Sequence, residues 1–188
     1  MNNQEIIIQK SLELFASRGY EGVGVQEICE ASGITKPTLY HYFGSKRGLL
    51  DAIIVKYGGI LSECIEKSAV YSGDLSSSIE KIALSLFQFA REYPIFYRMK
   101  LSMYFAPAES EPNIAFRDLD SNIFGRMEKM VKSSVAKYGN IRGRERITVA
   151  LIIGAINTCI GLWLNGLMEL SEKNINQSLR LMLYGIYT

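Results

Sequence analysis

Residues 25–50, VQEICEASGITKPTLYHYFGSKRGLL, leave room for only two short helices joined by a glycine turn. The first covers about 25–31, and Gly33 makes the turn. Thr35 then caps a second helix whose first turn holds Pro37, where a missing N–H costs little. Only Leu39 and Phe43 can face inward from that second helix, with Ile28 and Ile34 as partners. Its other positions, Lys36, Pro37, Thr38, Tyr40, His41 and Tyr42, are too polar or too exposed in pattern to serve packing. A helix with one apolar edge and an outer edge of donors, acceptors and flat rings suits the major groove of B-DNA. The turn that follows, Ser45-Lys46-Arg47, opens another helix. Its free backbone N–H groups and positive dipole end favour an anion, and a DNA phosphate is the natural one. Such a contact fixes position without reading sequence.

The rest of the chain is helical in pattern as well. Apolar residues recur at three- and four-residue spacing, and period-two alternation never persists between turn signals. Asn2 and Glu5 form a capping box ahead of Ile8, Leu12 and Phe15, and Gly19 closes that first helix. Ser45 starts a long fourth helix with the stripe Leu50, Ile53, Ile54, Tyr57, Leu61, Cys64 and Ile65. Gly58-Gly59 in its middle predicts a bend or weak point, at ~1 kcal/mol per glycine relative to alanine. Asp74 caps the next helix, Pro94 divides it from an aromatic-rich one, and 107–112 is a polar loop. Further helices are expected over 113–138 and 144–170. A last one opens on Asn174 and Gln177, with Ile175, Leu179, Met182 and Ile186 on one face. The expected fold is all-α, with about nine helices. A three-helix helix-turn-helix domain over 1–48 is joined by the long helix to a helical domain over 49–188.

The stretch around the turn resembles the tetracycline-repressor (TetR) family of bacterial regulators. The resemblance covers about 6–57. It is carried by Phe15 with Gly19-Tyr20, by Ile28 and Gly33-Ile34-Thr35, by Thr38-Leu39-Tyr40 with Tyr42-Phe43, and by Ser45-Lys46 ahead of Leu49-Leu50. It implies that Lys36, Pro37 and Thr38, with Thr35 beside them, approach bases, and that Tyr40, Tyr42 and Lys46 touch the backbone. Gln26 is placed to reach a base or phosphate, and His41 lies beside these. Two departures stand out. The second helix begins Val23-Gly24-Val25, without the hydroxyl residue the family usually has there, although Gly24 can still act as N-cap. Gly48 replaces the more usual acidic or helix-favouring residue after Ser-Lys.

The resemblance also implies a regulatory and dimerisation domain. Aromatic and methionine residues concentrate beyond residue 61, and Phe89, Tyr93, Tyr97, Met103, Tyr104, Phe116, Met127 and Trp163 are the expected wall of an apolar effector cavity. The expected effector is an uncharged or amphipathic organic molecule. Ala150, Gly154, Thr158 and Gly161 place small side chains on one helix face, which with the last helix predicts a homodimer. The implied function is a ligand-controlled repressor. A homodimer would bind a near-palindromic operator, and a small effector would release it.

Other classes fare worse. The chain carries 21 Lys and Arg against 19 Asp and Glu, for a net +2. Residues 1–50 are neutral, yet from Lys36 to Arg47 no acidic residue intervenes before Asp51. Cys29, Cys64 and Cys159 are scattered and suit reduced thiols in the cytoplasm. No metal site or cofactor is expected. The one histidine lies in the DNA motif, so the clustered groups an enzyme needs are missing. Residues 150–170 are long enough to span a bilayer. Asn157, Thr158 and Asn165 interrupt them, which favours a buried interface helix over a membrane span.

Overall fold

The computed structural model describes residues 2–184, all of whose regular elements are helical. Ile186, expected on the last helix, lies outside the described residues, as does the side chain of Met182. The helices are α1 (Asn3–Arg18), α2 (Val25–Ser32) and α3 (Lys36–Phe43). Then comes α4, made of Lys46–Ile53, the π-helical turn Ile54–Gly58 and Gly59–Ser68 in succession. There follow α5 (Leu75–Glu92), α6 (Pro94–Tyr104), α7 (Glu111–Ser134), α8 (Glu145–Leu164) and α9 (Glu172–Tyr184). Counted so, nine helices lie among the described residues, as the periodicity predicts.

The chain divides into two compact units. One holds 1–60 and 93–118, and the other 61–92 and 119–188. The first unit therefore extends past the helix-turn-helix expected over 1–48, taking in the start of α4, all of α6 and the first turns of α7. In it, α1 packs against α2, α4 and α6, while α3 is held between α2 and α4. Ile7, Phe15, Ile28, Leu39, Leu49, Leu50 and Ile53 are fully buried. In the second unit α5, α8 and α9 pack on one another, and Ile79, Ile82, Met127, Val149 and Ile160 are buried.

Local chemistry sets most helix ends. Asn2 Oδ1 accepts the Glu5 N–H at 2.9 Å, and Glu5 returns a bond to the Asn2 N–H, which is the expected capping box. Gly33 ends α2 in the left-handed conformation, at φ 66°, which a Cβ would disfavour. Asp74 caps α5, accepting from Ser77 N–H at 2.8 Å and from the Tyr138 hydroxyl at 2.6 Å. These bonds to the charged form, the Tyr138 one foremost, hold its carboxyl down at about 2.

Some ends differ from expectation. Helix α7 begins at Glu111, inside the expected loop, because Ser110 O takes the Ile114 N–H. Asn113, expected to open that helix, instead donates its side-chain amide to Met103 O, Tyr104 O and Ala106 O. Helix α8 stops at Leu164 instead of running to 170, since Gly166 takes φ 70°. The cap of α9 is Ser171, whose Oγ accepts from Asn174 N–H at 3.2 Å. The Asn174 side chain is turned to Glu169 O instead. Where a bend or weak point is expected at Gly58-Gly59, the helix holds a π turn that ends on Gly58, with helical backbone on both sides. Such turns insert one residue into a helix and are stable only where packing supports them. Here Tyr57, within the turn, stacks on Phe96 at 5.4 Å, meets Tyr93 edge-on at 5.6 Å and donates to Gln9 Oε1 at 3.1 Å.

Candidate nucleic-acid interface

Helix α3 is eight residues long and is anchored by Leu39, which is fully buried, and by half-buried Phe43. Pro37 lies in its first turn, where the fixed φ starts the helix without losing a bond. Lys36, Pro37, Tyr40, His41 and Tyr42 are all exposed, with Tyr40 and Tyr42 keeping 46% and 41% of their surface. Thr38 is half-buried. The expected outer edge is thus one continuous face. Its rings are loosely associated: His41 and Tyr42 meet edge-on at 5.5 Å. Thr35 is the N-cap residue, but its side chain makes no capping bond. Its hydroxyl instead shares a 2.9 Å hydrogen bond with the Thr38 hydroxyl. The N–H groups at the start of α3 thus receive no bond from the Thr35 side chain. Gln26, exposed on α2, donates its amide to Glu30 at 2.9 Å, a surface bond easily exchanged for another partner.

The start of α4 is built differently from expectation. Ser45 caps it, its Oγ accepting the Gly48 N–H at 2.9 Å. That bond leaves the N–H groups of Lys46 and Arg47 at the open end. The two basic side chains turn back onto the protein. Lys46 Nζ lies 4.0 Å from the centroid of the Tyr20 ring, a cation–π contact. Burial lowers the Lys46 pKa, and the negative charges of Glu21 and Glu111 oppose that shift. Arg47 pairs through Nε with Asp51 at 2.9 Å and donates through Nη1 to the Glu111 carbonyl at 3.3 Å. The Tyr20 hydroxyl donates to Glu111 Oε2 at 2.6 Å. Sequence reading missed Glu111 and the inward turn of Arg47. Glu111 lies 91 residues from Tyr20, so no local pattern could pair them.

Gly48 also has a role that its sequence position concealed. A Cβ built there would lie 2.0 Å from the Phe43 carbonyl oxygen and 3.2 Å from its carbon. Only glycine lets the last turn of α3 approach α4 this closely. The departure at residue 48 is thus part of how α3 is held.

The eight residues expected around an effector are divided between the units. Tyr97, Met103 and Phe116 are buried in the first, with Phe116 6.1 Å from Phe96, and half-buried Tyr93 meets Tyr57. Tyr104, also in the first, is exposed beside Phe105. Phe89 and Met127 are buried in the second unit. Trp163 borders a cleft of about 560 Å³ there, with Arg91, Leu167 and Met168. Among the described residues, neither unit by itself gathers all eight. No group of three or more His, Cys, Asp or Glu among those residues could hold a metal ion.

Comparison with known proteins bears on this geometry. Residues 7–53 match the sequence model described as bacterial regulatory proteins, tetR family. The HTH-type transcriptional repressor KstR2 of Rhodococcus jostii is 35% identical over 80 residues, which are 38% of this chain and 39% of KstR2. The chain thus spans well under half the length of the curated relatives it matches. Solved structures match across nearly the whole chain. A Clostridium perfringens protein described as a putative fatty acid metabolism regulator superposes with a TM-score of 0.82 at 20% identity, over 97% of this chain and 99% of that one. The transcriptional regulator FadR of Bacillus subtilis, solved in complex with stearoyl-CoA, gives 0.76 at 17% identity over 97% and 99%. At such identities the likeness is one of fold.

Proposed function

The chain belongs to the TetR family of bacterial transcriptional regulators, and we propose on that premise that it is a ligand-responsive, cytoplasmic repressor that grips DNA as a homodimer. One observation carries the DNA-reading part: α3 is anchored by Leu39 and Phe43 while Lys36, Pro37, Tyr40, His41 and Tyr42 stand free as one face. In this reading Lys36 and Thr38 approach base edges from the start of α3, with Thr35, Pro37 and Gln26 beside them. Tyr40, Tyr42 and Lys46 meet phosphates, and His41 borders the backbone. In this reading the single histidine serves DNA contact.

Dimerisation is read from α8. The small-residue face predicted from sequence is the open one: Ala150, Gly154 and Thr158 are exposed, and Gly161 is half-buried. Large apolar neighbours on the same helix are exposed too, Ile147 at 58%, Leu151 at 60% and Leu162 at 36%. This helix is also the one described segment long and apolar enough to cross a membrane. An apolar stripe that alternates with glycine and alanine fits close helix-to-helix packing in a partner copy better than lipid. Two recognition helices would then reach successive major grooves.

The effector is read as an amphipathic acyl compound. The stearoyl-CoA complex of the FadR neighbour and the fatty-acid description of the Clostridium perfringens neighbour support this class. The aromatic and methionine content of α6 and α7 suits an acyl chain. Release requires that the effector bind the DNA-free arrangement more tightly than the DNA-bound one.

Paired substitutions test the DNA assignments. Lys46→Ala is expected to weaken binding to every duplex and to reduce the salt slope by about 0.9 per subunit, about 1.8 for the dimer, the value for one lost phosphate contact from each copy. Lys36→Ala is expected to relax preference at one base position per half-site, at about 1–3 kcal/mol. Titrations at several salt concentrations against matched and mismatched duplexes separate the two. Equal effects of both substitutions on all sequences would refute the division of roles.

A further inference from the structure

Lys46 reaches its place through a relay that ends on another helix. Tyr20 follows α1, is only 3% exposed and packs on Phe15 at 5.2 Å. Its hydroxyl donates to the carboxylate of Glu111, the first residue of α7, and its ring carries the Lys46 ammonium. Arg47, next to Lys46, donates to the carbonyl of the same Glu111. One residue of α7 therefore ties down both the ring under Lys46 and the first turn of α4.

We propose that Glu111 is a positioning residue for DNA binding, fixing the Tyr20 hydroxyl so that the Tyr20 ring holds the Lys46 ammonium where a phosphate meets it. The inference rests on the reading of Lys46 as a phosphate ligand. A lysine carries four rotatable bonds, and ordering it at the moment of binding costs free energy that a preset geometry avoids. The cation–π contact supplies that preset geometry without neutralising the charge. A carboxylate–lysine salt bridge would have neutralised it. The phenol stays a donor, because burial and the Glu111 bond both raise its pKa. Glu111 is exposed, so water could replace it at the hydroxyl and the chain would still fold. What water cannot do is hold the ring in register with α7. A carboxylate near a phosphate also repels it, and that repulsion acting alone would make removal of Glu111 tighten binding. The two effects have opposite signs.

The test measures anisotropy of a mixed-sequence duplex of about 30 base pairs at about 50 mM salt, since phosphate contacts act on any sequence. Tyr20→Phe removes the donated bond and keeps the ring, and Glu111→Ala removes the acceptor. Each is expected to weaken binding about fivefold in the otherwise native chain and less than twofold in a Lys46→Ala background. Glu111→Gln, which keeps an acceptor, should restore most of the loss. Thermal melting should be nearly unchanged in all of them. Tighter binding by Glu111→Ala, or equal losses with and without Lys46, would overturn the inference. If Lys46→Ala weakens binding but Tyr20→Phe does not, the relay alone is wrong. If Lys46→Ala changes nothing, the phosphate reading fails and the relay with it.

Discussion

Leu151→Glu is expected to turn the proposed dimer into a monomer and to reduce affinity for a palindromic duplex at least about a hundredfold, the scale on which linking two binding modules raises avidity. Leu151 lies mid-helix on the open face of α8, between Ile147 and Gly154. It keeps 60% of its surface, so glutamate there meets water in a lone chain and should leave its melting temperature nearly unchanged. Buried in a close helix pair about a two-fold axis, the same residue would set two carboxylates against each other in an apolar seam. Unpaired buried charge is strongly unfavourable, and an isologous interface doubles every error. Sedimentation at several concentrations measures the mass, and a duplex titration measures the affinity. A variant that stays dimeric would place the interface elsewhere.

Gly48→Ala is expected to destabilise the chain, although alanine is favoured over glycine in a helix interior by ~1 kcal/mol. The new methyl would lie 2.0 Å from the Phe43 carbonyl oxygen, and the obstacle is backbone. It cannot rotate aside. The last turn of α3 must shift against α4, a strain of the order of 1–3 kcal/mol. The melting temperature should fall by about 2–4 °C per kcal/mol in a chain of this size. DNA binding should fall by about tenfold or more, because the proposed base contacts lie on α3 and each good one contributes about 1–3 kcal/mol. Gly59→Ala is the control. Its Cβ would meet nothing within 4 Å, and its backbone is already helical at φ −58° and ψ −48°. It should stabilise by up to ~1 kcal/mol. Equal stability of the two variants would show that residue 48 is not a steric requirement.

What could be read from sequence follows the range of each interaction. The Asn2–Glu5 box, the left-handed Gly33 and Pro37 in the first turn of α3 act within four residues, and each lies where local chemistry puts it. The exposed outer face of α3 was legible for the same reason, since one short helix carries Lys36 to Phe43 at fixed angular spacing. The small-residue face of α8 was legible by periodicity. Ends set by tertiary contact were not. Asn113 looked like a helix start and is instead a side-chain anchor for three carbonyls at the end of α6. Asn174 resembled a cap, but Ser171 precedes it and takes that place. Gly58-Gly59 marked an irregular position but could not specify a π turn, in which Tyr57 meets Phe96 and Tyr93. Lys46 was legible as a cation at a helix start. That it rests on Tyr20, and Tyr20 on Glu111, depends on a contact spanning 91 residues. The expected effector wall is where sequence pattern discriminates least, because buried aromatic residues look alike in sequence whether they fill a core or line a cavity.

Selection of bound sequences from a random duplex library with the full chain tests DNA reading by a homodimer. Enrichment of a near-palindrome is expected, with half-sites about one helical turn apart, ~34–36 Å centre to centre, or a multiple of it. Lys36→Ala should lose the preference at one position in each half. Recovery of no enriched sequence, or of an asymmetric site bound by a single chain, would contradict it.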